Sequence, residues 1–479
     1  MIDFPKIFIL VVSLLVFLKT FYFVYLFQIK EYRLDRLFSS LKEEGFFRLF
    51  YFREIRLPAK SLHNYGLIFL SFIFSFCLFL FLLKTNFLII SVIFIFIPLV
   101  AFLFVLIGVG LTSIPVIIYR QHLIDSAAQK VNQSKAIFIG ITGSFGKTST
   151  KDFLFTLLST RFKTAKSEAN MNTAIGVALS VLNHLKNYHK IFIAELGAYK
   201  IGEIKEIAEF IKPKYGILTG IGNQHLDLFG SRKNLLIAKK ELFLSLPKDG
   251  RAYINADFPE YKSFIKNIRC PVVSFSSTNP KADIFSKKLN FSRGKFSAEV
   301  VYHQQVFKIT TNLIGFHNIV NLLPVIALAS DIGIEKKTII DTIAKIPPTT
   351  HRLSLHRGLN KAIILSDAYN SNVDGFIAAI QAGQFFDQPK KFIISRGIIE
   401  LGKEKRISYQ KILNQLRNNQ IPLFTTDKLF KIEDKSNQVI YFNQEKKLID
   451  FLKKIADQKT LIIVEGKFSF DSMKNLFKS

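Results

Sequence analysis

The sequence predicts an α/β protein in which N-terminal transmembrane helices precede two α/β lobes. Three observations carry this. Long apolar stretches are confined to the first 120 residues. From Lys135 onward, short β-branched or aromatic runs alternate with helical runs, the pattern of a mostly parallel sheet covered by helices. A second set of such alternations begins near His351, after Pro347-Pro348, where proline stops a helix.

Taken in chain order, the apolar stretches come first. Ile7 to Ile29, Leu67 to Leu83 and Phe87 to Tyr119 each offer the ~20 residues that a membrane helix needs. No small-residue cleavage site follows the first, so a removable signal peptide is the weaker reading. The third stretch is longer than one perpendicular span requires, and Gly108, Gly110 and Pro115 are expected to end it or bend it. The segment after the first span carries Lys30, Arg33, Arg36, Lys42, Arg48, Arg53, Arg56 and Lys60. Positive charge stays on the cytoplasmic side, so this loop is placed inside, Lys84-Thr85-Asn86 outside, and everything after the third span inside. The expected organisation is a membrane region over 1–120, an amphipathic connector over 121–134, and two soluble domains over 135–348 and 349–479. The expected location is the cell membrane, multi-pass, with the soluble domains in the cytoplasm.

In the first soluble domain, 136–141, 190–194, 215–219 and 252–255 read as strands and Thr148 to Phe162 as a helix. Pro271 to Ile314 is β-rich and less regular, and reads as an antiparallel addition. In the second, 362–365, 392–394, 423–425 and 461–464 read as strands, with helices near 375–384, 404–418 and 446–456.

Composition is less decisive. The formal net charge is +29. That balance suits nucleic acid, an anionic membrane or phosphorylated substrates, but a Lys-, Ile- and Phe-rich chain without Trp also reflects base composition. No nucleic-acid module is recognisable, and no nucleic-acid partner is expected. The two cysteines, Cys77 and Cys270, suggest no disulfide framework.

The sharpest local signal is Thr142-Gly143-Ser144-Phe145-Gly146-Lys147-Thr148-Ser149-Thr150, which follows a predicted strand and opens a predicted helix. Glycines let backbone amides turn toward phosphate oxygens, and the helix N-terminus adds donors and positive potential. Lys147 can reach terminal phosphates, and the Thr148 hydroxyl can ligate Mg²⁺. The usual P-loop has a glycine five residues before the Gly-Lys pair, but Ile141 stands there. By itself the site fits a nucleotide hydrolase, a kinase or a ligase.

The loop resembles that of Mur ligases, which also lack the distant glycine. Further segments follow in that family's order over roughly 340 residues: Asn170 to Gly176, Ala194-Glu195-Leu-Gly-Ala198, Thr219 to Asp227, Ala238-Lys239-Lys240-Glu241, Gly315 to Asn321, His351-Arg352, and Asp367-Ala-Tyr369-Asn370-Ser-Asn372. The resemblance implies a central ATPase domain, a Rossmann-like C-terminal domain, and ATP and Mg²⁺ as cofactors. It implies that a substrate carboxylate is phosphorylated by ATP and that an amine then attacks the acyl phosphate.

It also implies roles. Thr142, Gly143, Ser144, Gly146, Lys147, Thr148 and Ser149 would cradle the phosphates, Asn318 would meet adenine and Asp367 the ribose. Arg352 would approach the γ-phosphate. Thr148, Glu195, His225 and a carbamylated Lys239 would hold metal, and Lys147, Lys239, His225 and Arg352 would act in catalysis. Asn172, Thr173, Tyr369, Asn370, Asn372 and Glu400 are assigned to substrate. Outside the resemblance, Glu195 also fits a surface carboxylate, His225 a turn cap and Lys239 a solvated lysine.

Within the family, Asp-x-Tyr-Asn-x-Asn and Glu400-Leu401-Gly402 resemble the branch that adds D-alanyl-D-alanine to a muramoyl-peptide in cell-wall synthesis. Three departures stand out. Mostly apolar sequence precedes the ATPase segment where the family has a small UDP-holding domain. Val464-Glu465-Gly466-Lys467-Phe468 stands where the branch has Lys-Gly-Ser-Arg, and Val373 replaces a proline. Expected partners are therefore membrane lipids, a UDP- or lipid-linked muramoyl-peptide and an amino-acid or dipeptide amine. The alternatives are a membrane ligase making a γ-linked amino-acid polymer, and a P-loop membrane ATPase without ligation.

Overall fold

The structure is a computed structural model. It describes residues 4–30, 57–168, 171–222, 229–292, 295–347, 354–367, 373–398, 405–466 and 468–477, with Tyr32, Leu34, Leu37 and Phe50. The chain divides into two compact units, Met1–Leu123 and Ile124–Ser479.

In the first unit the long helices among the described residues are α1 (Phe4–Ile29), α2 (Leu62–Leu82), α3 (Phe87–Ile95) and α4 (Ile97–Gln133), the last running on past the unit's boundary. Three of them, α1 from Pro5, α2 and α4, have the length and composition to cross a membrane. Val16, Phe23 and Phe27 of α1 meet Leu67 of α2 and Ala101 and Val105 of α4 in a buried cluster. Phe69, Phe72, Phe76 and Phe81 of α2 stay exposed, an apolar surface that hydrocarbon rather than water would solvate. Some polar groups pair within the unit: Tyr32 Oη donates to Asn64 Oδ1, and Asn64 Nδ2 donates to the carbonyl of Ala59.

The third apolar stretch breaks in a different place from the one expected. Gly108, Gly110 and Pro115 all lie inside the continuous α4. Two hydroxyls just before Pro115 bond back onto the same helix: Thr112 Oγ1 donates to Gly108 O at 2.9 Å and Ser113 Oγ to Gly110 O at 2.6 Å. The interruption sits at Phe96 (φ −101°, ψ 19°), just before Pro98, whose ring fits the first turn of α4 but would clash inside a continuing helix. The expected connector, 121–133, is the end of this same helix.

The second unit starts with that helix end. Ile124, Ala127 and Val131 are buried among its residues, and Lys130 Nζ donates to the carbonyl of Leu182. Its first sheet has nine strands: β1 (Ile137–Thr142), β2 (Thr164–Lys166), β3 (Ile191–Glu195), β4 (Tyr215–Leu218), β5 (Arg251–Asn255), β6 (Val272–Ser276), β7 (Ile284–Ser292), β8 (Lys295–Tyr302) and β9 (Gln305–Thr311). They are ordered β2-β3-β1-β4-β5-β6-β7-β8-β9. Pairing is parallel from β2 to β7 and antiparallel through β8 and β9. The β-rich addition therefore begins one strand later than expected, because β6 pairs parallel on both sides. β1 reads Ile-Phe-Ile-Gly-Ile-Thr and is buried from Phe138 onward, as a central parallel strand covered on both faces must be.

The helices that cover this sheet include α5 (Lys147–Leu158), α6 (Ala174–His184), α7 (Glu203–Ile211), α8 (Arg232–Leu244), α9 (Phe316–Asp331) and α10 (Lys336–Lys345). In α7, Ile204, Ile207, Ala208 and Ile211 fall on one buried stripe, the three-and-four spacing of an amphipathic helix.

The second sheet comprises β10 (Ser354–Arg357), β11 (Ile363–Asp367), β12 (Lys390–Ser395), β13 (Leu423–Thr425), β14 (Val439–Tyr441) and β15 (Thr460–Glu465), ordered β10-β11-β15-β12-β13-β14. Only β10 runs antiparallel to its neighbour. Placing β15 between β11 and β12 makes a crossover, and the carboxyl ends of Asp367, Glu465 and Ser395 come into register there. The lobes share apolar packing: the rings of Phe291 and Phe296 lie 5.4 and 5.0 Å from that of Phe385.

Candidate phosphate-binding site

Three parallel strands set the site. β1 lies between β3 and β4, so Thr142, Glu195 and Thr219 come to one edge of the sheet at the carboxyl ends, where open parallel sheets bind ligands. The chain leaves β1 through Gly143 (φ +151°) and enters α5 through Gly146 (φ +77°). Ser144 N donates to Gly220 O at 2.8 Å, and Thr142 Oγ1 to Leu196 O at 3.0 Å, which ties the loop to both neighbouring strand ends. Lys147 Nζ folds back and donates to Gly143 O at 2.8 Å.

Glu195 is the charged centre. Its side chain is 3% exposed. Oε1 accepts from Thr148 Oγ1 and from Asn172 Nδ2, both at 3.2 Å. Oε2 lies 3.1 Å from Nζ of Lys151, itself 1% exposed. Burial pushes the carboxyl up, but Lys151 and Lys147 pull harder and hold it below the usual glutamate range, so Glu195 is an anion.

Lys239, on α8, is also buried. Burial, helped by the charge of Lys147, lowers its amine to about 7 against the pull of Glu203, Glu241 and Glu195. A lysine of this kind is about half neutral near pH 7, and the reading of Lys239 as a solvated surface lysine is excluded. Gly143, Ser144, Lys147, Asn172, Tyr199 and Lys239 are among the walls of a cavity of about 50 Å³.

The oxygen donors suit a hard cation. On an octahedral Mg²⁺, ligands at ~2.1 Å and right angles stand about 3 Å apart. Thr148 Oγ1 and Glu195 Oε1 are already 3.2 Å apart. Among the described residues no three His, Cys, Asp or Glu side chains converge on a metal site. One carboxylate and one hydroxyl, completed by phosphate and water, is nonetheless the way Mg²⁺ is often held.

The structure thus brings Thr142, Gly143, Ser144, Gly146, Lys147, Thr148, Glu195, Asn172 and Lys239 together. Ser149 is buried on α5. Thr173 is the N-cap of α6, its hydroxyl accepting from Gly176 N. Asn318 is buried at the start of α9, with Nδ2 on the carbonyl of Ile314. Asp367 ends β11. His225, Arg352, Tyr369, Asn370, Asn372 and Glu400 lie outside the described residues. Two contacts escaped the sequence reading. Lys151 stands one helical turn after Lys147, a spacing that would have placed both on one face. Asn321 closes on the loop so tightly that a Cβ at Gly146 would collide with its amide.

Comparison with known proteins gives this geometry its family. Residues 141–329 match the Mur ligase middle domain. The UDP-N-acetylmuramoyl-tripeptide–D-alanyl-D-alanine ligase of Buchnera aphidicola subsp. Baizongia pistaciae is 31% identical over 338 residues, covering 70% of this chain and 73% of that protein. The chain belongs to the Mur ligase family. The like-named ligase of Bacillus subtilis is 27% identical over 338 residues, 68% of this chain and 72% of its own. In fold, the crystal structure of MurF from Acinetobacter baumannii aligns with a TM-score of 0.69 at 21% identity, over 75% of this chain and 80% of that one. MurF ligase from Thermotoga maritima, in complex with ADP, aligns at 0.67 and 21%, over 74% and 82%. As a Mur ligase, the chain is an ATP-dependent, ADP-forming ligase of acids with amines, and the second alternative, a P-loop membrane ATPase without ligation, is set aside.

Proposed function

We propose that this Mur ligase joins a D-alanyl-D-alanine amine to a muramoyl-peptide carboxylate during cell-wall precursor assembly, at the cytoplasmic face of the cell membrane. The observation that carries the reading is a cavity at the end of β1 lined by Lys147, Asn172 and the buried Lys239, with Asn172 bonded to Glu195 and Glu195 to Thr148. The names of the relatives supply the substrates. The domain scheme that goes with it is a membrane region over 1–120, a connector over 121–134, an ATP-binding domain over 135–348 and a C-terminal domain over 349–479.

An amine does not displace hydroxide from a carboxylate at neutral pH, so the acid must first be given a leaving group. Backbone amides around Gly143 to Gly146 and the amino end of α5 would hold the ATP phosphates. Lys147 would exchange its carbonyl partner for a phosphate oxygen and offset the charge spread over the γ-phosphoryl group in transfer. Thr148 and Glu195 would hold Mg²⁺, which draws the phosphate oxygens into line and neutralises them. His225 and Arg352 are proposed as a further metal ligand and a γ-phosphate contact, Asn318 and Asp367 as the adenine and ribose contacts, and Asn172, Thr173, Tyr369, Asn370, Asn372 and Glu400 as substrate contacts.

Lys239 is proposed to carry a carbamate. Only the neutral amine adds CO₂, and an ordinary lysine stays protonated until about pH 10.5. With its amine lowered to about 7, Lys239 is half neutral near physiological pH, and its neutral fraction rises as pH increases through that value. Protein equilibrated with ¹³C-bicarbonate should therefore show a carbamate carbon that grows between pH 6 and pH 8 and is missing in Lys239→Met. A spectrum identical in the two proteins would remove the assignment.

The three apolar helices favour an acceptor met at the membrane, lipid-linked or UDP-linked. The test is full-length protein in lipid nanodiscs with ATP, D-alanyl-D-alanine and each acceptor in turn, read by product mass. One dipeptide added per acceptor, with ADP released only when the amine is present, is the expected result. Repeated addition would point to a polymer-forming ligase, and amine-independent ADP release would sink the proposal.

A further inference from the structure

Lys151 is not accounted for by phosphate binding. It is a lysine on α5, 1% exposed, and it cannot point at solvent. Its Nζ makes two contacts, 3.1 Å to Glu195 Oε2 and 3.2 Å to the carbonyl of Glu168. Burying an ammonium group is costly unless it is paired, so a lysine here needs a use. Glu195 shows what that use is. Its carboxylate is divided: one oxygen faces Lys151, and the other faces Thr148 and Asn172. Ser167 Oγ accepts from the backbone N of Glu195 at 3.0 Å and fixes the strand end from below.

We propose that Lys151 is a positioning residue for nucleotide-bound metal: it holds Glu195 Oε2, so that Glu195 presents Oε1 alone beside the Thr148 hydroxyl. The inference rests on the metal role proposed above for Thr148 and Glu195. Without Lys151, the buried carboxylate has no counter-charge on its inner side. It would turn toward Lys147, which removes Oε1 from beside Thr148. A cation near a metal site could instead repel the metal. Here the metal arrives as a complex with ATP whose net charge is negative, so that repulsion is offset.

Binding rather than turnover is the readout. Full-length protein is titrated with Mn²⁺ and a non-hydrolysable ATP analogue, and bound Mn²⁺ is followed by the loss of the free-ion EPR signal. Glu195→Gln and Lys151→Met should each weaken Mn²⁺–nucleotide binding at least tenfold. The double variant Lys151→Met/Glu195→Gln, which leaves no unpaired buried charge, should match Glu195→Gln within about twofold, because a residue acting only through Glu195 adds nothing once Glu195 is neutral. This double variant keeps the test open even if Lys151→Met folds poorly. Binding by Lys151→Met within twofold of the parent, alongside a weakened Glu195→Gln, would overturn the role of Lys151. So would a double variant much weaker than Glu195→Gln, the mark of a general field effect. An unaffected Glu195→Gln would overturn the metal site itself and this inference with it.

Discussion

Lys147→Ala is expected to reduce ligation by at least about a thousandfold, ~4 kcal/mol of transition-state stabilisation, while the chain still inserts in the membrane. The size follows from where the charge sits. Lys147 is the first residue of α5, and its amine rests on the carbonyl of Gly143, inside the turn whose amides would face phosphate. Phosphoryl transfer spreads negative charge over oxygens that a fixed cation within the loop can meet without rearrangement. Alanine leaves the backbone donors in place but removes a positive group that reaches past them. Folding should change little, because the lost bonds include lysine-to-carbonyl contacts within the loop at a partly buried site. The check is amine-dependent ADP release and product mass, together with recovery of the variant in the membrane fraction. Undiminished turnover would mean that the loop is not the nucleotide site.

Much of this was legible in the sequence because the signals are local and strong. The central strands are runs such as Ile-Phe-Ile that can only be buried, and β13 was placed at its observed bounds, Leu423–Thr425. The phosphate loop announces itself through a strand, two glycines, Lys-Thr and a helix. What escaped is either short or non-local. β2, β10 and β14 have three or four residues each, too few for any periodicity to register. The insertion of β15 between β11 and β12 depends on packing between segments about 100 residues apart in sequence. Gly108 and Pro115 looked like breakers by composition, yet the helix runs through both, and the break falls at Phe96 instead.

The candidate site divides the same way. Lys147 and Thr148 belong to one contiguous motif and could be read directly. Lys239 could be singled out only by resemblance; its burial, which lowers its amine to about 7, is a property of α8 packed on the sheet. The Lys151–Glu195 pair joins a helix to a strand 44 positions later, and nothing in either segment alone announces it.

The second large effect concerns backbone shape. Gly143→Ala should lower kcat/KM for ATP by at least about a hundredfold, because reacting groups misplaced by ~1 Å lose rate on that scale. Gly143 has φ +151°, a conformation side chains rarely adopt. Its added Cβ would overlap Thr219 Oγ1 and come within 3.1 Å of the carbonyl oxygen of Gly220 and 3.2 Å of its amide nitrogen. Two of these three atoms are backbone of the segment after β4, which also accepts the Ser144 amide, so neither side can yield cheaply. The loop must shift away from β4, and the amides beyond it move with it. Gly202→Ala is the matched control: φ is +96°, but nothing lies within 4 Å of the new Cβ. It should show only the backbone strain, about 1–3 kcal/mol in stability, with turnover within about twofold of the parent. Steady-state kinetics and thermal melting of both variants separate the two contributions. Equal activity in Gly143→Ala and Gly202→Ala would show that the loop tolerates displacement and that its tight seat against Gly220 is not what places the phosphates.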